Sequence, residues 1–136
     1  MRKSSRRPTL TPFDETVSHV RRIIEILHRQ GVESPDLPAA AFADATLVEK
    51  LPPWVARYGA IIDGQNAWVY CASHPDNKSG QPGQILLHMR SSRCLIDSFD
   101  AASGVCIARE SAGGTPLVAG LVFTGRPLLL WIRPIS

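Results

Sequence analysis

Three cysteines and four histidines supply most of the side chains in this chain that could do chemistry. Cys71-Ala72-Ser73-His74, joined by His88 and Cys94, is the best metal set. Zinc takes thiolate and imidazole in a tetrahedron, and a Cys-x2-His pair can chelate from a strand end. The set lacks a second close pair, and Cys71 and Cys94 each sit in an apolar run, where packing explains a thiol equally well. No metal and no cofactor is expected on this basis.

Nucleophilic catalysis would use Cys71, Cys94 or Cys106, with His74 or His88 as base and Asp97 or Asp100 to orient it. No protease or hydrolase signature flanks any of them. A metal-independent hydrolase or nuclease would centre on His74 and His88, with Lys78, Arg90 and Arg93 as cations beside them. Arg90-Ser91-Ser92-Arg93 is the clearest anion candidate: if the serines turn a hairpin, two guanidinium forks converge on one phosphate or carboxylate. Two solvated arginines at a hairpin end are the plainer alternative. No phosphate loop, dinucleotide fingerprint, calcium loop or zinc-finger spacing is present.

The formal net charge is +3, and it is unevenly placed. Arg2, Lys3, Arg6 and Arg7 fall within the first ten residues without an acid, so the remainder is slightly acidic. Residues 1–10 read as a basic, disordered tail. Such a tail can hold phosphates weakly, without reading sequence. It carries no aromatic residue for base stacking.

These side chains need a scaffold. At 136 residues one domain is the prior, here residues 11–136, and a core is possible without disulfides. Thr11-Pro12-Phe13-Asp14 is a helix start, and Phe13, Val17, Val20, Ile24 and Leu27 recur at spacings of three and four. The pattern predicts a helix over 12–30. Alanine-rich 39–51 reads as a second helix, and 53–58 as a short third one.

From Gly59 the pattern changes to short β-rich runs separated by turns. Asp63-Gly64 marks a hairpin, and 74–83 is a loop. Short connections predict antiparallel neighbours. The expected fold is α+β: N-terminal helices packed on the concave face of a curved antiparallel sheet of six to seven strands, 60–133. Runs such as Leu128-Leu129-Leu130-Trp131 are apolar on both faces. They predict central strands covered on both sides, or a face buried on a partner.

No stretch reaches the ~20 apolar residues of a membrane span. No apolar segment follows the basic N-terminus as a signal peptide requires. An odd number of cysteines in apolar runs agrees with a cytoplasmic protein. The motifs match no family pattern. The leading expectation is a small non-enzymatic accessory or regulatory protein that binds another protein or itself, with Leu128, Leu130 and Trp131 at the interface. A nucleic-acid module using the tail with Arg90 and Arg93 is the alternative, and a hydrolase at His74 and His88 the second.

Overall fold

The computed structural model describes residues 8–32, 42–43, 45–63, 66–73 and 80–135. Its strands are β1 (Thr9–Leu10), β2 (Phe42–Ala43), β3 (Val48–Lys50), β4 (Val55–Asp63), β5 (Asn66–Ser73), β6 (Pro82–Leu87), β7 (Arg93–Asp100), β8 (Cys106–Gly113), β9 (Leu117–Val122) and β10 (Leu128–Pro134). One helix, α1 (Phe13–Arg29), precedes most of them.

The α+β expectation is overturned. Strand makes up 53% of the described residues against 18% for α1 and one 3-10 turn together, and the sheet curls like half a barrel. The order along it is β1-β4-β5-β10-β7-β8-β9-β6-β3, with β2 beside β4. The helices expected at 39–51 and 53–58 do not form among the described residues. Phe42–Ala43 pairs with Ile62 and Ile61, Ala45–Leu47 is one 3-10 turn, and Val48–Lys50 pairs with β6. Val55 already opens β4. A helix shorter than about 12 residues is marginal alone, and ladder bonds to a formed sheet outweigh alanine's modest preference. Residues 39–41 and 44 lie outside the described residues.

The tail reading also changes at its end. Thr9–Leu10 pairs in parallel with Arg57–Tyr58. Arg2, Lys3, Arg6 and Arg7 lie outside the described residues.

Sequence neighbours do not all pair. β4–β5 and β7–β8 are antiparallel hairpins, but β10 inserts between β5 and β7, and β6 pairs with β9. The reason lies in β10 itself. Leu128, Leu130 and Ile132 enter a core on the concave side with Val69, Ile96, Ile85, Leu117 and Leu121. Leu129 and Trp131 enter a second core with Trp68, Phe99 and α1. A strand apolar on both faces belongs at the centre of a sheet.

The helix therefore packs on the outer face, not the concave one. Val17, Val20, Ile23, Ile24 and Leu27 of α1 form its buried stripe. The approach is close at both ends. A Cβ on Gly59 would sit 2.1 Å from Thr16 Oγ1, so glycine lets the helix reach the sheet. Gly104, with φ +78°, lies beneath Ile26 in a left-handed backbone that favours glycine. No helix among the described residues is long and apolar enough to cross a membrane.

Candidate functional site

Asp97 is the one charged residue among the buried groups of the described core, on β7 between β10 and β8. A buried carboxylate needs partners, and the register supplies them: Asp97 lies opposite Arg109 on β8 and Trp131 on β10. Arg109 Nε donates to Oδ1 at 2.6 Å and Nη2 to Oδ2 at 3.2 Å, a bidentate fork. Arg133 Nη1 lies 3.0 Å from Oδ2 but is not aligned as a hydrogen bond, so it pairs by charge alone. The Arg133 guanidinium also sits 3.7 Å over the Trp131 ring. Trp131 Nε1 donates to Asn66 Oδ1 at 3.0 Å. This network knits the β5–β10–β7–β8 ladder where α1 no longer covers it.

Beyond β8 the sheet opens. β8 and β9 share a single register pair, Gly113 with Val118. Gly114 N–H donates to Ser92 O on the β7 side. Backbone groups alternate along a strand, so Arg109 and Ser111 aim theirs away from β7. Among the described residues no strand meets them. The Gly120 N–H on β9 is held instead by a side chain, Glu110 Oε1 at 3.1 Å. Exposed apolar residues flank this splay: Val105 at 60% and Ile107 on one side, Val118 and Val122 on the other. Burial along β8 is correspondingly slight.

Of the residues the sequence singles out, several move. Leu128, Leu130 and Trp131 are buried, at 2%, 0% and 5% exposure. They are core anchors, and the exposed apolar residues lie at the β8–β9 splay instead. Arg90 and Arg93 are both exposed, but the turn between them is no hairpin. β6 pairs with β9 and β3, and β7 with β10 and β8. Ser91 spends its hydroxyl locally, donating to Arg93 O at 2.8 Å.

Cys71 is buried, and burial pushes its thiol up to about 12. Cys94 is likewise buried and raised by desolvation. His88 is exposed and pairs with Glu49 at 2.8 Å. His74 lies outside the described residues. Among those that are described, no group of three or more His, Cys, Asp or Glu is placed to hold a metal. Cys106 is exposed beside the Asp97 network. Partial burial and then Asp97 raise its thiol, against the pull of Arg109 and Arg133, which keeps the unreactive protonated form.

A second polar cluster sits at the N-terminal half of α1. His19 stacks on Tyr70, centroids 4.1 Å apart and 7° from parallel. Glu15 Oε2 is 3.9 Å from His19 Nε2, and Arg57 Nη2 donates to both Glu15 oxygens at 3.0 Å. Desolvation lowers the His19 pKa, Glu15 partly opposes this, and Arg22 and Arg57 add to it. The neutral imidazole is a packing element between helix and sheet.

No protein-family model and no curated protein matches the chain. Among solved structures it is similar to one titled as a glycoside hydrolase, at 13% identity and a TM-score of 0.49, with 83% of this chain covered and 24% of that one. A glycoside hydrolase family 5 structure from Bacteroides vulgatus gives 12% identity and 0.49, over 88% of this chain and 23% of that one. The chain spans about a quarter of the length of these structures, and likeness at this level carries no functional argument.

Proposed function

We propose that this chain is a non-enzymatic, cytoplasmic protein-binding module whose partner adds a strand to the open edge of β8. The observation that carries this reading is the splay itself: outward backbone groups at Arg109 and Ser111, a single pair to β9, and exposed Val105, Ile107, Val118 and Val122 around it. Unpaired strand edges are templates for pairing with another chain. Strand addition takes its affinity from main-chain bonds and its specificity from alternate side chains. Three free thiols, two of them buried, support the cytoplasmic setting.

The test is selection of displayed random peptides on the full chain, with Ser111→Pro as the counter-target. Proline at this position removes one outward donor and leaves the β7 ladder bonds in place. Enriched peptides are expected to bind the parent chain and lose binding to folded Ser111→Pro. Peptides that bind both proteins equally would place the site elsewhere. Circular dichroism confirms the fold of the variant. Amide exchange gives an independent reading: Arg109 and Ser111 exchange fast in the free chain, between slower Ala108, Glu110 and Ala112.

A further inference from the structure

We infer that the partner segment carries acidic side chains and enters between β8 and β9, taking over the Gly120 amide from Glu110; this rests on the strand-addition reading above. Glu110 Oε1 accepts from Gly120 N–H at 3.1 Å, where a neighbouring strand would present a carbonyl. The carboxylate is thus a stand-in for a missing strand. An entering backbone replaces that bond one for one and returns Glu110, already exposed, to water.

The surrounding charges choose the entrant. Arg93 lies opposite Gly113 at one end of the edge. Arg109 is 60% exposed at its middle, and Arg126 is 63% exposed near the β7–β8 turn, 3.4 Å from Asp100. The acids on this flank are withdrawn: Asp97 and Asp100 side chains are 2% and 14% exposed. Glu110 is the remaining surface acid, and its carboxylate is the group displaced. Asp97 and Asp100 offset part of this charge, but Arg93, Arg109, Arg126 and Arg133 outnumber Asp97, Asp100 and Glu110, so the flank is net positive and an acid-bearing strand is complementary to it. Arg93 and Arg109 share the outer face with Val118 and Val122, so the entrant's acids take that face and its apolar residues, in alternation, turn toward Ala112 and Leu121 of the concave core.

A second copy of this chain fits poorly. Two β8 strands paired antiparallel about a two-fold, with sheet faces matched, have two registers that use nearly the whole strand. One sets Arg109 against Arg109, the other Glu110 against Glu110. Like charges directly opposite are destabilising.

The probes are synthetic peptides of alternating Val-Glu, Val-Lys and Val-Thr, each the length of β8, titrated onto the full chain at about 50 and about 300 mM salt. The Val-Glu peptide is expected to bind best, to weaken at high salt, and to slow exchange at the Arg109, Ser111 and Gly120 amides. Glu110→Ala should tighten it by roughly threefold or more by removing the competitor. Arg93→Glu, an exposed change, should weaken it by a similar factor. If Val-Thr binds equally and protects the same amides, the edge reading stands and the acidic partner falls. If no peptide protects those amides, both fall. An oligothymidylate that binds where the Val-Glu peptide does not would overturn the proposal in favour of nucleic acid.

Discussion

The strands β5, β10 and β7 are packed on both faces, whereas β9, β6 and β3 are packed on one. In the first group Trp68, Leu129, Trp131 and Phe99 lie under or beside α1, and Val69, Leu130 and Ile96 fill the concave side. In the second, Ile85, Leu87, Leu117, Ala119 and Leu121 face the concave core. Their alternates Gln84, Val118, Gly120 and Val122 are exposed, and nothing among the described residues covers them. One sheet is therefore a closed three-layer stack at one end and an open two-layer one at the other. The seam between these regions is the β8–β9 splay, where the ladder thins to one pair. Closure on both faces confers rigidity, and the open end leaves bonding groups for something else.

Substitutions test this contrast directly. The largest effect is expected in the closed half. Trp68→Ala empties a site that is fully buried and should cost about 3–5 kcal/mol in urea unfolding. Asp97→Ala strips Arg133 and Arg109 of their partner and should cost about 2 kcal/mol, because Arg133 is left largely buried without a counter-charge. An equal loss from Arg109→Ala alone would show that the fork, and not the buried carboxylate, holds β8. Gly59→Ala forces α1 off the sheet at Thr16 and should cost about 1–2 kcal/mol.

Acidification gives a smaller effect. A folded-state pKa of His19 below its unfolded value means the unfolded chain binds the proton more readily. Stability is then fully present above about pH 6.5 and declines as pH falls toward the lowered folded value. His19→Gln should flatten the decline of Tm between pH 7 and pH 5. The smallest effect belongs to the open half: Val122→Thr on the bare face should stay within about 0.5 kcal/mol. A cost of 2 kcal/mol there would mean that this face is packed, and the contrast would collapse.

The sequence carried some of this plainly. The three-and-four spacing from Phe13 to Leu27 marks α1 because the helix is amphipathic and its stripe is buried. Leu128 to Ile132 announced a central strand by being apolar on both faces. Residues 42–58 misled because their strands exist only through partners distant in sequence: Ile61–Ile62 for β2 and Leu86–Leu87 for β3. Local propensity is silent about such pairing. The Arg90–Arg93 hairpin failed for the same reason, since β6 and β7 are neighbours in sequence but not in the sheet. Asp97 did leave a signal: a lone acid in Cys94-Leu95-Ile96-Asp97-Ser98-Phe99 demands a cation across the ladder. Which arginine answers it depends on register. The open β8 edge left none, because an unpaired edge and a paired strand look alike in one dimension.

The three tryptophans divide between the two cores. Trp54 stacks on Phe123 at 5.3 Å on the concave side, and Trp68 stacks on Trp131 at 5.3 Å on the helix side. Each core thus owns its fluorophores. Trp54→Phe leaves emission from the helix side alone, and the Trp68→Phe, Trp131→Phe double variant leaves the concave side alone. Two melting curves from one polypeptide then show whether its two interiors come apart together or in turn.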